Sequence, residues 1–465
     1  MIVKNGLLAL PGQSEFVRAE FRVSEGRIVE IAQRIEGASG EEIADASGLL
    51  VLPGGIDPHV HFDEPGFTHR EDFFHGTSEA AKGGVTTVID MPCTSLPPVT
   101  TITALESKLA VVSKGAVVDY AFYGGVSGHE IEASLGSGGA MADLAPRVVG
   151  FKCYFISGMA SFTSVNHDDF ARVVAEGERL GRPILLHAED RDYVVSVDAR
   201  LTAARKASGA SPSWVDYLAP RSREAELTAV ATALALAKGR ESGLHIVHVS
   251  TPEAAAMIAA AGATCETCAH YLAFDENDFE RLGASLKTAP PVKSRADREG
   301  LWQRLADGTL SFVTSDHAPA PASEKETGDP LTAYGGIPGT GTWLPFLFSE
   351  GLLSGRLTLA RFLDAIAGSA ARRYGLAARK GGLAVGKDAD FVLIDPAATT
   401  KIEGRKLLSK GKITPFEGMR LTGRILVTYV RGVPVYRAVR GADENAVGDI
   451  VAPAGSGKFL TWGYR

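Results

Sequence analysis

The chain has 465 residues, 45% hydrophobic and 22% charged, with 48 basic against 55 acidic side chains and a formal net charge of -7. That length suits one large domain with a satellite, and the mild acidity gives no basic face for nucleic acid. No run of apolar residues is long enough to cross a bilayer and no charged-then-apolar leader opens the chain, while four cysteines, Cys93, Cys153, Cys265 and Cys268, suit a reducing compartment better than a disulfide scaffold; a cytoplasmic protein with no membrane partner is expected.

Residues 1–53 read as short strands: Ile2-Val3, Glu15–Val23, Arg27–Ile31 and Leu49–Leu52. The turn pairs Asn5-Gly6, Pro11-Gly12, Glu25-Gly26 and Ser39-Gly40 separate them. Residues 54–375 alternate apolar strands with helical stretches, the pattern of a parallel α/β domain. The strands are Ile56–Phe62, Val85–Met91, Val118–Tyr123, Val148–Phe155, Pro183–His187, Leu244–Val249, Thr264–His270 and Ser311–Ser315. Helices are predicted over Asp168–Leu180, Arg223–Ala237, Pro252–Ala261 and Ala296–Leu305. Residues 376–465 return to β character at Phe391–Ile394 and Ile425–Val430 and end in a tail. Eight strands suit a (β/α)8 TIM-like barrel, and two β-rich ends suggest one satellite domain built from both termini.

Barrel chemistry gathers at the C-terminal strand ends. His59 and His61 stand at the first such end, two apart, so a strand would aim both at one face. Imidazole is a common ligand of divalent transition metals. Lys152 lies inside the fourth strand, an apolar setting hostile to a bare ammonium. His187 ends the fifth, His248 the sixth and Asp316 the eighth.

Other motifs read as structural. His69, His75, His129, His167, His245 and His270 are expected to be structural or at the surface, and His245 should face away from His248. Cys265-Glu266-Thr267-Cys268 has no second cysteine pair and reads as strand packing. Gly335-Gly336-Ile337-Pro338-Gly339 lacks the Lys-Ser/Thr of a phosphate cradle.

His59-Val60-His61, Gly83–Pro92, Gly150-Phe151-Lys152, His187-Ala188-Glu189, His248-Val249-Ser250, Ser315–Pro319 and Gly386–Asp390 together resemble the cyclic-amide branch of the amidohydrolases. That branch includes allantoinases, dihydroorotases, hydantoinases and dihydropyrimidinases. The resemblance implies a barrel flanked by a β-sandwich made from both chain ends. It implies two divalent metals, usually zinc: one on His59, His61 and Asp316, the other on His187 and His248, with Lys152 bridging as a CO2-derived carbamate. A metal-bridging hydroxide would attack the ring amide, and Asp316 would serve as catalytic base and then acid. Asp63, His317, Gly336 and Pro290 are the expected substrate contacts by the same resemblance, although Ala289 replaces the asparagine usual before Pro290. Relatives are commonly tetramers or dimers, so a homo-oligomer is expected.

Within the branch, Asp63-Glu64-Pro65-Gly66 and Tyr334-Gly335-Gly336-Ile337 resemble allantoinases, which open a neutral ureide. Dihydroorotases carry an arginine where Asp63 stands. Hydantoinase or dihydropyrimidinase activity is the alternative within enzymes, and a non-catalytic scaffold is the alternative outside them; the scaffold reading conflicts with a full set of ligands.

Overall fold

A computed structural model describes all 465 residues. Eight parallel strands form the barrel: β1 (Gly55–Val60), β2 (Val85–Asp90), β3 (Asp119–Phe122, resuming at Gly124–Gly125), β4 (Phe151–Tyr154), β5 (Ile184–His187), β6 (Leu244–Ile246), β7 (Thr264–Cys268) and β8 (Phe312–Thr314). The ring closes where the chain after β8 meets β1: His61 N–H donates to His317 O at 2.7 Å, and His317 N–H to His59 O. Nearly every strand residue is buried, as expected when helices cover the outside and side chains fill the inside.

The helices between strands begin and end on local signals. Asn166 caps His167–Leu180 by accepting from Asp169 N–H, and Gly181, at φ 63°, ends that helix in the left-handed region. Thr251 caps Pro252–Ala260, with proline in the first turn where its missing N–H costs nothing. Ser294 and Asp297 form a reciprocal cap on Arg295–Ala306. No helix is long and apolar enough to cross a membrane.

Two further sheets pack beside the barrel, one of four strands (from residues 2–45) and one of seven that joins Leu50–Pro53 and Leu7–Leu8 to Phe391–Lys401 and Arg420–Val430. Their shared core holds Val3, Phe21, Val51, Phe391 and Tyr429. Phe391 stacks on Tyr429 at 4.2 Å and meets Phe21 edge-on at 5.1 Å. Lys380, in the link between barrel and sandwich, joins the two: its Nζ lies 2.6 Å from Asp119 of β3, 2.6 Å from Asp390 and 3.0 Å from Asp388. Arg431 pairs with Asp119 and Arg379 with Asp388, so three bases answer three buried acids.

Several strands stop earlier than their apolar runs suggest. β6 ends at Ile246 rather than Val249, β8 at Thr314 rather than Ser315, and β7 at Cys268, where a short helix over Ala269–Ala273 takes in His270. The physical reason lies in the backbone after the strands: His248 and Asp316 sit at φ 39° and 48°, outside the extended region. Cys265 and Cys268 are free and buried, and Cys268 Sγ lies 3.5 Å from Thr314 Oγ1.

Candidate metal centre at the barrel rim

The C-terminal rim gathers four imidazoles. His59 belongs to β1 and His61 follows its end. Their rings are 5.5 Å apart, and His59 lies 5.4 Å from His248, itself 4.6 Å from His187. Asp316 Oδ1 approaches His59 Nε2 at 3.2 Å and His61 Nε2 at 3.4 Å. His59, His61 and Asp316 therefore present three donor atoms close enough to hold one metal ion. His187 Nδ1 and His248 Nε2 face each other at 2.9 Å. With Glu189 taking His187 Nε2–H, His187 Nδ1 presents a lone pair here, and ring nitrogens so placed can share a cation.

Lys152, on β4, is fully buried, and its Nζ has no hydrogen-bond partner. An orphaned ammonium among histidines is costly. Burial pulls its amine down to about 8, against the opposing charges of Cys93, Glu266 and Asp316. Burial would also push the Asp316 carboxyl up, but His59, His61 and His248 outweigh it and hold it well below the usual carboxylate range. Burial alone would lower His61; hydrogen bonds to Asp316 and Cys93 win and raise it to about 10. The donor set, mutually polarised around one point with an unpartnered amine beside it, fits divalent metals better than it fits an empty core.

The outward nitrogens of three of the imidazoles are held as well, while His248 Nδ1 has no partner. Glu266 accepts from His59 Nδ1 at 2.5 Å and reaches His245 Nε2 at 3.2 Å. Thr94 Oγ1 lies 3.2 Å from His61 Nδ1. Glu189 Oε2 lies 2.8 Å from His187 Nε2 and also pairs with Arg221. Such partners fix the tautomer and ring angle of a ligand. Sequence reasoning passed over Glu266 and Glu189. Glu266 carries the same signal as Lys152, an ionisable group inside a buried strand, but its flanking cysteines make the stretch read as plain strand packing.

The imidazoles floor a cavity of about 560 Å³, the size of a small-molecule site. Its wall includes Arg70, Cys93, Tyr154, Arg221, Ala289 and Gly336. Tyr154 stacks on His187 at 5.2 Å, and its hydroxyl is 3.0 Å from Cys93 Sγ. Gly336, one of the four expected substrate contacts, lines this cavity. Three other expected contacts stand elsewhere. The His317 ring is buried, with Nε2 3.1 Å from Glu71 and Nδ1 accepting from Gly339 and Thr340 N–H. Pro290 is also turned away from the wall, its carbonyl accepting from Tyr271 and Thr288; Ala289 takes its place. Asp63 is buried behind the wall at φ 57°, and neither carboxylate oxygen has a partner. Burial raises its carboxyl to about 7 against the pull of His61 and Arg70.

Known proteins resemble this chain over most of its length. The model of the amidohydrolase family matches residues 50–435. An allantoinase of Rubrobacter xylanophilus is 39% identical over 447 residues, 95% of each chain. An allantoinase of Streptomyces avermitilis is 35% identical over 425 residues, 89% of this chain and 91% of that one. Among solved structures, L-hydantoinase (dihydropyrimidinase) from Arthrobacter aurescens superposes with a TM-score of 0.90 at 30% identity, covering 99% of both chains.

Proposed function

The chain belongs to the amidohydrolase family, and on that premise we propose that it hydrolyses a cyclic ureide, allantoin to allantoate, at the barrel rim. The observation that carries the reading is the 39% identity, over 95% of both chains, to a relative named allantoinase. In this reading His59, His61 and Asp316 would hold one divalent metal and His187 and His248 the other, with Lys152, as a carbamate, supplying oxygen ligands to the pair and zinc the expected metal. Bound there, the metals supply Lewis-acid polarisation of the ring carbonyl and bring the pKa of water down toward 7.

The side chains do the rest. The neutral form of the Lys152 amine is the one that adds CO2, and burial favours that form. Asp316 takes the proton of the attacking hydroxide at a carboxylate oxygen. It returns that proton to the ring nitrogen as the C–N bond breaks, leaving a carboxylate and a free ureido nitrogen. Glu266 and Glu189 keep His59 and His187 in register throughout. Asp63 is buried behind the wall with neither carboxylate oxygen partnered, so the ring does not meet it in this reading.

The test is a turnover panel of allantoin, hydantoin, dihydrouracil and dihydroorotate on metal-replete enzyme. The expected outcome is a kcat/KM for allantoin at least about tenfold above every other ring, a difference of about 1.4 kcal/mol. Preference for hydantoin or dihydrouracil would replace the allantoinase reading with the one the solved structural neighbours carry in their names. Turnover of dihydroorotate as fast as of allantoin would overturn the neutral-ring reading.

A further inference from the structure

One wall of the cavity is a strap, residues 331–336, of which Tyr334, Gly335 and Gly336 face the hollow. Two lysines from outside the strap take its carbonyl oxygens. Lys287 Nζ donates to Leu331 O at 3.0 Å and to Ala333 O at 2.6 Å. Lys325 Nζ donates to Tyr334 O at 3.0 Å and to Gly336 O at 2.8 Å. The two lysines are 4% and 1% exposed, and no carboxylate pairs with either amine. A buried ammonium is an expensive way to fill space. Four carbonyls, all in one six-residue strap, are what these two amines satisfy.

The strap is tied down from other sides too. Gly336 N–H donates to Lys287 O and Tyr334 N–H to Glu324 O, each at 2.8 Å. The Glu324 carboxylate holds Arg70 Nε at 2.7 Å, and the Arg70 guanidinium lies 4.4 Å over the Tyr334 ring. Gly336, at φ 153°, passes so close to Ala318 that an added Cβ would lie 2.3 Å from its carbonyl oxygen. Ala318 N–H in turn donates to Ile337 O at 2.9 Å, two residues from Asp316. The strap is therefore seated directly on the segment that carries the proposed proton carrier. Burial, and then the charge of Lys287, brings Lys325 down to about 7; burial, and then Arg221, brings Lys287 down to about 8. A neutral amine still donates two hydrogens, so the hold survives in either form.

Resting on the cyclic-amidase reading above, we propose that Lys287 and Lys325 are positioning residues: their joint hold on the carbonyls of residues 331–336 sets the wall against which the ring substrate is seated, and so governs substrate affinity without touching a metal ligand.

The test uses the full-length, metal-replete protein with Lys325→Met and Lys287→Met, which keep the length of the side chain and lose the donors. Three quantities are read: kcat and KM on whichever ring the wild type opens, bound metal per chain, and the rate of limited proteolysis between residues 326 and 336. The expected result is unchanged metal content, kcat within about threefold, KM raised about tenfold or more, and faster cleavage in the strap. Gly336→Ala, which crowds the strap against Ala318 while keeping both lysine side chains, is expected to raise KM in the same way and stands in should a lysine variant fail to fold. Unchanged KM with unchanged cleavage overturns the proposal. So does a fall in kcat that follows loss of metal, since the lysines would then support the rim as a whole. If the wild type opens none of the rings, the cyclic-amidase reading fails, and the proteolysis arm still decides whether the lysines hold the strap.

Discussion

Glu266 shows how much of the centre depends on side chains that are not ligands themselves. It is buried, and it bridges His59 and His245. Glu266→Gln keeps the shape but replaces one of the two carboxyl oxygens shared between His59 and His245 with an amide nitrogen, and metal affinity is expected to fall about 10–100-fold, measured by chelator competition. Lys152→Ala removes the proposed bridge and is expected to abolish turnover; acetate, a two-oxygen anion, is expected to restore part of it, and turnover by the variant without added anion would contradict the bridging role. Glu189 gives a pH dependence with a definite sign. Burial alone would raise its carboxyl, but Arg221 and then His187 outweigh it and hold it at about 2 against an ordinary 4.5. A carboxylate depressed in the fold adds stability that is present above its ordinary value and lost as pH falls toward its folded one. Glu189→Gln is therefore expected to flatten the acid limb of the stability curve between those two values, an effect of order 3 kcal/mol, read by denaturant unfolding across pH.

The eight barrel strands were legible because each is a short apolar run bounded by glycine, proline or polar turns, and strands buried on both faces read that way. Their ends were not. His248 and Asp316 look in the sequence like the last residues of strands, yet each occupies a left-handed backbone that only the folded rim imposes. Non-glycine residues accept such strain where the surroundings hold them, and here both are proposed ligands. The sequence likewise placed His317 beside Asp316 but carried no sign that its ring turns back to Glu71. In the sandwich, Phe391 shares its faces with Tyr429 and Phe21. Phe391→Ala is expected to cost about 3–5 kcal/mol by chemical denaturation. The ligands all lie on the barrel, so activity at low temperature should survive in the folded fraction.

Barrel and sandwich act as one body through a charged joint. Lys380 stands among Asp119, Asp388 and Asp390, which otherwise form a tight acidic trio. Burial would lower its amine, but Asp390 and Asp388 outweigh that and raise it above the ordinary 10.5. The sign is opposite to that of Glu189: a raised lysine adds stability that is full below 10.5 and lost as pH climbs through the folded value. Lys380→Met leaves buried carboxylates without their central cation and is expected to cost about 3–5 kcal/mol, measured by denaturant midpoint. That joint fixes the shell, and the shell fixes the rim, where His59, His61, Lys152, His187, His248 and Asp316 meet. The most direct measurement is an anomalous-scattering map at the zinc absorption edge from crystals grown with zinc and bicarbonate. Two peaks about 3.5–4 Å apart, one against His59, His61 and Asp316 and one against His187 and His248, joined by density extending from Lys152 Nζ, are the predicted result. A single peak, or none, with a bare amine on Lys152 would contradict the account.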